Sequence, residues 1–336
     1  MPLISVIIPV YNGAKTIRET ISSVLAQSFE DLEIIVVNDG STDATAEILA
    51  DLPNRKIKVH AFPNAGPSVS RNRGFRLSAG DYIAYLDADD LWAQDKLKEQ
   101  FQALQQYPAA GVAYAWTHHI DASGQFVRRG GKHQAQGSVL GHLLLTNILE
   151  HGSNPLIRRQ AVAAVGGFDE RLRTAEDWDF YLRLAARYEF VVVKKPLIYY
   201  RQSPHSFSGD VTRVEKDALA VIKRAFKEAP PALRPLHRQS QANIYAYLIF
   251  KALDGALERK KTLKAISYLC RAAGKNPEMR RDKMFLLQVM VKILVHSLIP
   301  EPGGTGLLKR IAGNGRFRRL PYIHAIALRY IKTLSA

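Results

Sequence analysis

Short apolar runs alternate with helical patterns along the first 110 residues of the chain. The runs that predict strands are rich in β-branched residues and span 3–10, 33–37, 57–61 and 82–86. The segments with helical patterning between and after them span 16–27, 43–51, 68–78 and 95–106. Strands that alternate with helices predict an α/β fold, in which a parallel sheet is covered by helices on both faces.

A second block, residues 110–201, mixes the two patterns less regularly. Strands are predicted near 112–117, 154–157, 190–193 and 197–201, and helices near 138–145 and 175–187. After residue 210 only helical patterns remain, and they are broken around Pro230, Pro277 and Pro300. We therefore expect a domain at 1–210, with halves at 1–108 and 109–210, followed by a helical region at 211–336.

The positive charge of the chain is confined to its C-terminal part. Of 47 Lys and Arg and 31 Asp and Glu, residues 211–336 hold 25 and 8, a net charge of +17, which leaves 22 and 23, a net of −1, for the first 210. Such a segregated field favours an anionic partner: a membrane surface, a nucleic acid or a polyanionic substrate. Residues 283–332 interleave basic and apolar side chains, which is typical either of amphipathic helices on anionic lipid or of a helical cap packed on the preceding domain.

Several protein classes are disfavoured by what the chain contains. Its single cysteine, Cys270, excludes an internal disulfide and is typical of a reducing compartment. The N-terminus has the pattern of a buried strand rather than a signal peptide, and the longest apolar stretch, 284–299, is short for a membrane span. Neither GxxxxGK[ST] nor GxGxxG is present, which argues against a P-loop NTPase or a dinucleotide oxidoreductase.

Three carboxylates, Asp87, Asp89 and Asp90, directly follow the apolar run 82–86. Carboxylates this close repel one another unless a positive charge lies among them, and oxygen-only ligands favour Mg²⁺ or Mn²⁺. If the segment is extended, Asp87 and Asp89 face the same side and Asp90 the other. The alternative is a solvated acidic turn that caps a following helix. The run alone favours neither interpretation.

Six motifs occur in a fixed order along the chain: SVIIPVYN (5–12), EIIVVNDGSTD (33–43), SRNRG (70–74), AGDYIAYLDADD (79–90), GGFDE (166–170) and AEDWD (175–179). This order resembles the family 2 glycosyltransferases with the GT-A fold, and the match extends from about Ser5 to Ser208. The resemblance implies a nucleotide-diphosphate sugar as donor and transfer with inversion at the anomeric carbon.

The resemblance also implies a donor site. It places Tyr11 against the nucleobase and makes Asp39 the acceptor for a base N–H, an arrangement that suits uracil and so a UDP-sugar. The remaining positions expected to bind the nucleotide-sugar are Pro9, Val10, Asn12, Arg71, Asp87 and Ala88. Without the resemblance, Tyr11 is a strand-end aromatic residue and Asp39 a turn residue.

Metal and catalytic roles follow from the same resemblance. Asp89 is expected to bind Mn²⁺ or Mg²⁺ between the two phosphates, and Asp87 to lie near the ribose or in the metal shell. Asp177 falls at the position of the catalytic base, which takes the proton of the acceptor hydroxyl, and the neighbouring Glu176 could support it. The alternative is that these acids merely favour a helix N-terminus.

A second tier of candidates could contact acceptor or phosphate, and each has a simpler structural interpretation. They are Trp178, which could stack on an acceptor sugar or belong to the core, and Asn154, Arg201 and His205. Asn154 lies in the polar stretch 151–155.

The resemblance as a whole implies a metal-dependent, inverting glycosyltransferase of cell-surface polysaccharide synthesis, with a glycan or lipid-linked acceptor. We expect it in the cytoplasm, on the inner face of the membrane. The alternative is an inactive nucleotide-sugar-binding or scaffold protein, whose basic C-terminal region binds a membrane or a nucleic acid. Since the basic region has no recognised nucleic-acid fold signature, we expect no nucleic-acid partner.

Overall fold

The computed structural model describes residues 3–52, 54–202, 210–253 and 259–298. The chain divides into two compact units, of which the first comprises Met1–Leu143 and Asn147–Ser203 and the second Leu144–Thr146 and Pro204–Ala336. The domain boundary predicted at residue 210 and the division at 108 remain predictions.

The described part of the chain before residue 203 contains nine strands and seven helices. The strands are β1 (Ile4–Val10), β2 (Leu32–Asn38), β3 (Ile57–Ala61), β4 (Tyr82–Tyr85), β5 (Leu91–Trp92), β6 (Ala110–Ile120), β7 (Phe126–Arg129), β8 (Leu156–Arg158) and β9 (Glu189–Arg201). The helices are α1 (Ile17–Leu25), α2 (Thr45–Ala50), α3 (Pro67–Leu77), α4 (Lys96–Gln106), α5 (Leu140–Leu145), α6 (Arg159–Val165) and α7 (Glu176–Ala185).

The strands form one sheet in the order β3-β2-β1-β4-β8-β6-β9-β5, with β7 paired to β6. Strands β1 to β4 are parallel, as predicted. Burial explains the mostly apolar sequences of β2 and β4, in which every residue is buried, whereas the edge strand β3 is partly exposed. The expectation of a parallel sheet is confirmed again for β6 and β9, which pair in parallel, but it is wrong for the other strand pairs beyond β4. The sheet is mixed, because β8 runs antiparallel to both β4 and β6 and β5 runs antiparallel to β9.

The second block differs from its prediction in its details. The two strands predicted at 190–193 and 197–201 are one strand, β9, in which the exposed Lys194 and Lys195 interrupt the apolar pattern without ending the extended backbone. Strands β5 and β7 and helix α6 were not predicted. The first two have only two and four residues, which is too short for a periodic pattern to identify.

The second unit is helical in its described part: α8 (Val211–Glu228), a 3-10 helix (Pro231–Leu236), α9 (His237–Ala252), α10 (Arg259–Lys275), α11 (Pro277–Arg281) and α12 (Lys283–Leu298). Asp210 caps α8, since its carboxylate accepts hydrogen bonds from the N–H groups of Thr212 and Arg213. The predicted breaks near Pro230 and Pro277 are confirmed. The break at Pro300 and the basic residues after 298 lie outside the described residues.

Among the helices in the described ranges, none combines the length and the apolar character that a membrane span requires.

Candidate active site

The loop after β1 is joined to the loop after β2 by side chains of the predicted donor site. The N–H of Asn12 donates to Ser41 Oγ at 3.0 Å, and Asn12 Oδ1 accepts from the N–H of Thr42 at 2.8 Å. These bonds hold Asn12 at a φ of +53°, which a residue with a side chain seldom adopts. The adjacent Tyr11 remains 47% exposed, so its ring face is open to a ligand.

Asp39 lies at the end of β2 with only 3% of its surface exposed. One carboxylate oxygen accepts from the N–H of Ala65 at 3.0 Å and the other from the N–H of Gly66 at 2.7 Å. The Arg73 guanidinium is 3.4 Å away. Because a carboxylate has about four acceptor positions, these bonds fix Asp39 and still leave room for a further N–H donor.

The acidic run after β4 forms a turn, closed by a hydrogen bond of 3.1 Å from the N–H of Asp90 to the carbonyl of Asp87. The segment is therefore not extended, so the alternation that an extended segment would give does not apply. The alternative of a cap on a following helix is also wrong, because β5 follows the turn. Asp90 is completely buried: its carboxylate accepts from Ser153 Oγ at 2.6 Å and from the N–H of Arg201 at 2.8 Å. Asp87 and Asp89 remain partly exposed.

Arg71, on α3, connects this turn to the start of α7. One guanidinium nitrogen lies 2.6 Å from Asp87 Oδ1 and the other 2.8 Å from Glu176 Oε1. The Arg71 side chain is only 4% exposed, and the two carboxylates hold its pKa above the ordinary range. The expected nucleotide, metal and base positions thus meet at one place, although Arg71 and Glu176 lie 105 positions apart along the chain.

Asp177 follows Glu176 in the first turn of α7, directly after Ala175, whose φ of +57° bends the chain into the helix. Its carboxylate accepts from the N–H of Trp178 at 2.7 Å and from the side-chain amide of Asn147 at 3.3 Å. Burial, then the charge of Glu176, raise the pKa of Asp177 to about 7. A carboxylate with this pKa can both accept and release a proton near neutral pH.

The acidic turn fits a divalent cation bound together with a diphosphate. Burial, then the charge of Asp87, raise the pKa of Asp89 to about 6. A bound cation would favour the ionised carboxylate and lower this pKa. No group of three or more His, Cys, Asp or Glu arranged to hold a metal occurs among the described residues. Mg²⁺ and Mn²⁺ need fewer protein ligands, because they use one or two carboxylates with water and phosphate oxygens.

Three of the second-tier candidates have internal partners instead of open surfaces. Trp178 is 7% exposed and its indole N–H donates to the carbonyl of Leu143 at 2.8 Å, so its ring belongs to the core. The side-chain amide of Asn154, which is 1% exposed, exchanges hydrogen bonds with the main chain of Ala115. Arg201 is 5% exposed and binds protein groups throughout its guanidinium. His205 lies outside the described residues.

Sequence reasoning missed the residues that support the acidic turn. Ser153 Oγ accepts the N–H of Asp87 at 3.0 Å and donates to Asp90, and Thr20 Oγ1 lies 2.9 Å from the Ala88 carbonyl. Gly152 lies so close to Arg71 that a Cβ added at Gly152 would be 3.0 Å from the Arg71 guanidinium. The polar stretch 151–155 was a weak signal for Ser153, whereas nothing in the sequence around Thr20 distinguishes it from other helix residues.

Solved structures with the same architecture identify the fold. TarS of S. aureus in complex with UDP has a TM-score of 0.59 at 22% identity, over 87% of this chain and 88% of that one. A mannosyltransferase from Pyrobaculum calidifontis, in complex with GDP-Man and Mn²⁺, has a TM-score of 0.59 at 19% identity, over 89% and 86%. At these identities the likeness shows the fold alone, which is that of the GT-A glycosyltransferases.

The sequence comparisons identify the family. A family model described as glycosyltransferase like family 2 matches residues 5–252, so the chain belongs to this family and is a glycosyltransferase. An uncharacterised glycosyltransferase of Rickettsia typhi is 32% identical over 241 residues, which cover 66% of this chain and 76% of the relative. The hyaluronan synthase of Pasteurella multocida is 28% identical over 218 residues, which cover 64% of this chain and 22% of the synthase.

Proposed function

We propose that this glycosyltransferase is inverting and metal-dependent, and that it transfers a sugar from a UDP-sugar to a hydroxyl of a glycan or lipid-linked acceptor in cell-surface polysaccharide synthesis. The observation that carries the proposal is the double ion pair of Arg71, which brings the acidic turn and the start of α7 to one site. The complex of TarS with UDP-GlcNAc supports the proposed donor, and the name of the Pasteurella hyaluronan synthase supports the proposed pathway class.

In this proposal Asp177 is the catalytic base. It takes the proton of the acceptor hydroxyl as that oxygen forms the bond to the anomeric carbon and the bond from this carbon to the nucleoside diphosphate breaks. The N–H of Trp178 and the amide of Asn147 orient the carboxylate by their hydrogen bonds. Glu176 is ion-paired with Arg71. Its proposed part is to raise the pKa of Asp177 by its negative charge rather than to accept the proton itself.

Asp89 and Asp87 would hold Mn²⁺ or Mg²⁺, which when bound offsets the charge that develops on the departing diphosphate. Tyr11 would stack on the uracil ring, and Asp39, fixed by two main-chain N–H groups, would accept the base N–H. Pro9, Val10, Asn12 and Ala88 complete the proposed donor site.

The test uses the purified full-length chain with UDP-, GDP- and dTDP-sugars, each with Mn²⁺ and with chelator. We expect UDP-sugars to raise the melting temperature most, and slow metal-dependent release of UDP from one of them. Preference for another nucleotide would contradict the UDP assignment, and full activity in chelator would contradict the metal. Binding of a donor without any turnover, even with glycan and lipid-linked acceptors added, would favour the inactive binding protein.

We also propose that the helical unit binds an anionic membrane surface, on the cytoplasmic side. Helix α10 contains six basic residues and no acidic one, and it exposes Leu263 and Ile266 by 59% and 40%. On α12, Leu287, Met290 and Leu294 are each about half exposed. Apolar side chains set among cations suit the boundary of an anionic bilayer.

Flotation with vesicles tests this membrane contact. We expect binding to vesicles that contain phosphatidylglycerol and weak binding to pure phosphatidylcholine, with loss of binding in the double variant Leu263→Ser, Ile266→Ser. The matched control is Val59→Ser, at a residue of the first unit that is 43% exposed. Equal flotation of the double variant would contradict the proposal, and a salt-sensitive RNA shift without flotation would favour a nucleic acid.

A further inference from the structure

Arg201, the last residue of β9, contacts three separate elements around the acidic turn. Its Nε donates to the carbonyl of Asp89 at 2.7 Å, and one terminal nitrogen donates to the carbonyls of Asp121 and Ala122 at 3.3 and 3.0 Å. The other terminal nitrogen lies 2.7 Å from Glu19 Oε2 on α1. Four hydrogen bonds therefore use the planar fork of one guanidinium.

The main chain of Arg201 is held as firmly as its side chain. Its N–H donates to Asp90 Oδ1, and the same carboxylate accepts from Ser153 Oγ. Asp90 is completely buried and Arg201 is 5% exposed, so neither group exchanges these partners with water. Asp90 thus connects the end of β9 to the acidic turn, although the two lie 111 residues apart.

These contacts leave little freedom to the main chain of the turn. The Asp87 N–H is held by Ser153, the carbonyls of Ala88 and Asp90 lie within 3.0 Å of Thr20 Oγ1, and the Asp89 carbonyl is held by Arg201. The carboxylates of Asp87 and Asp89 take no part in this main-chain network. The supports therefore fix the backbone without using either carboxylate: Asp87 is paired with Arg71 through Oδ1, and both acids remain partly exposed to a ligand.

We propose that Arg201 is a positioning residue, which fixes the acidic turn in the geometry that binds a divalent cation. The inference rests on the proposed metal dependence of the enzyme. It goes beyond that proposal because it assigns the cation affinity of the site to a side chain that contacts no ligand. Partners of metal ligands typically change metal affinity by about 10- to 100-fold when they are substituted.

The test measures free Mn²⁺ by electron paramagnetic resonance while the full-length protein is titrated with Mn²⁺ in the presence of UDP. We expect Arg201→Lys to weaken Mn²⁺ binding by about 10- to 100-fold, because an ammonium cannot reach all three elements. At saturating Mn²⁺ we expect kcat to recover to near the wild-type value, so that the defect lies in the Mn²⁺ requirement. Arg171→Lys is the matched control, at a side chain that is 83% exposed.

Glu19→Gln provides a second, milder variant in case Arg201→Lys does not fold. Glu19 is 55% exposed and binds only the outer nitrogen of Arg201, so we expect a loss of Mn²⁺ affinity of about two- to tenfold.

A role in folding alone would lower the melting temperature of both variants and leave Mn²⁺ affinity unchanged, which would overturn the inference. If the wild-type protein with UDP binds no Mn²⁺, the metal dependence itself fails. Wild-type binding that both variants match contradicts only the role of Arg201.

Discussion

The acidic turn at Asp87–Asp90 and the acidic start of α7 place their carboxylates in similar ways. In each segment one acid is bound by protein: Asp90 by Ser153 and the main chain of Arg201, and Glu176 by the guanidinium of Arg71. In each, burial and the charge of a neighbouring carboxylate raise the pKa of another acid, to about 6 for Asp89 and to about 7 for Asp177.

The segments differ in whether a cation or a proton offsets the unfavourable negative charge of this acid. Asp89 lies on a turn with Asp87 beside it, where a cation and its phosphate ligands relieve the repulsion of two carboxylates. Asp177 lies at the start of α7, where burial and the charge of Glu176 favour its protonated form, while the donors on its two oxygens orient the carboxylate. One segment is therefore suited to bind a metal ion and the other to accept a proton, and this division can be tested residue by residue.

The largest effect is expected for Asp177→Asn, which removes the proposed proton acceptor and keeps the shape of the side chain. We expect kcat to fall by about 10²- to 10⁴-fold, the usual contribution of a positioned base. Affinities for UDP and Mn²⁺ should stay within about twofold, since Asp177 lies outside the donor contacts. The measurements are steady-state transfer and calorimetric titration with UDP. Retained turnover would remove Asp177 from the role of base.

A somewhat smaller loss is expected for Asp89→Asn. Metal stabilisation of a leaving group amounts to several kcal/mol, which corresponds to about 100-fold or more in rate. The variant should also lose its response to added Mn²⁺, unlike Asp177→Asn, whose residual rate should still depend on the metal. A comparison of both variants across a Mn²⁺ series separates the two segments. Full stimulation of Asp89→Asn by Mn²⁺ would contradict its assignment.

The parallel half of the sheet could be predicted from the sequence within two residues at most strand ends. Strands β1, β2 and β4 are buried along almost their whole length, so each appears as a mostly apolar run. Strand β8 has three residues, and β9 contains two adjacent lysines, so neither shows a clear period. What the sequence lacks there is a local pattern, because the pairing with β6 decides the conformation.

The candidate site shows the same limit. The acids themselves could be listed from their motifs, but their partners come from distant segments: Asp90 pairs with Arg201 and Glu176 with Arg71. Burial also decided the interpretation of Trp178, for which the sequence left two alternatives. Roles within an acidic run depend on contacts more than 60 residues away, and such contacts cannot be read from spacing along one chain.

Glu176→Gln should have a smaller effect on the rate than either substitution above. The charge of Glu176 raises the pKa of Asp177, so its removal should move the rise of kcat/KM with pH to lower pH. We expect a loss in kcat of about tenfold or less, because the proton acceptor itself remains. The measurement is a pH–rate profile of wild type and variant. An unchanged midpoint would show that Glu176 does not tune the base, and a loss as large as that of Asp177→Asn would make Glu176 the base.

The smallest effect is expected in stability, and it has a defined sign. Burial, then the charge of Glu176, raise the pKa of Asp177 to about 7 in the folded chain, against about 3.9 for an unfolded Asp. Between these pH values the folded chain binds more protons than the unfolded chain, so the contribution of Asp177 to stability falls as pH rises from about 4 to about 7. Asparagine does not titrate, so Asp177→Asn removes this loss.

Asp177→Asn should therefore exceed wild type in free energy of unfolding at pH 8, and the difference should shrink towards pH 4. Urea denaturation of the metal-free protein at both pH values measures it. Asp51→Asn, at a side chain that is 80% exposed, is the control and should show no such pH dependence. Equal free energies of unfolding for Asp177→Asn and wild type at pH 8 would mean that folding does not raise the pKa of Asp177. Asp177 would then titrate like a surface carboxylate.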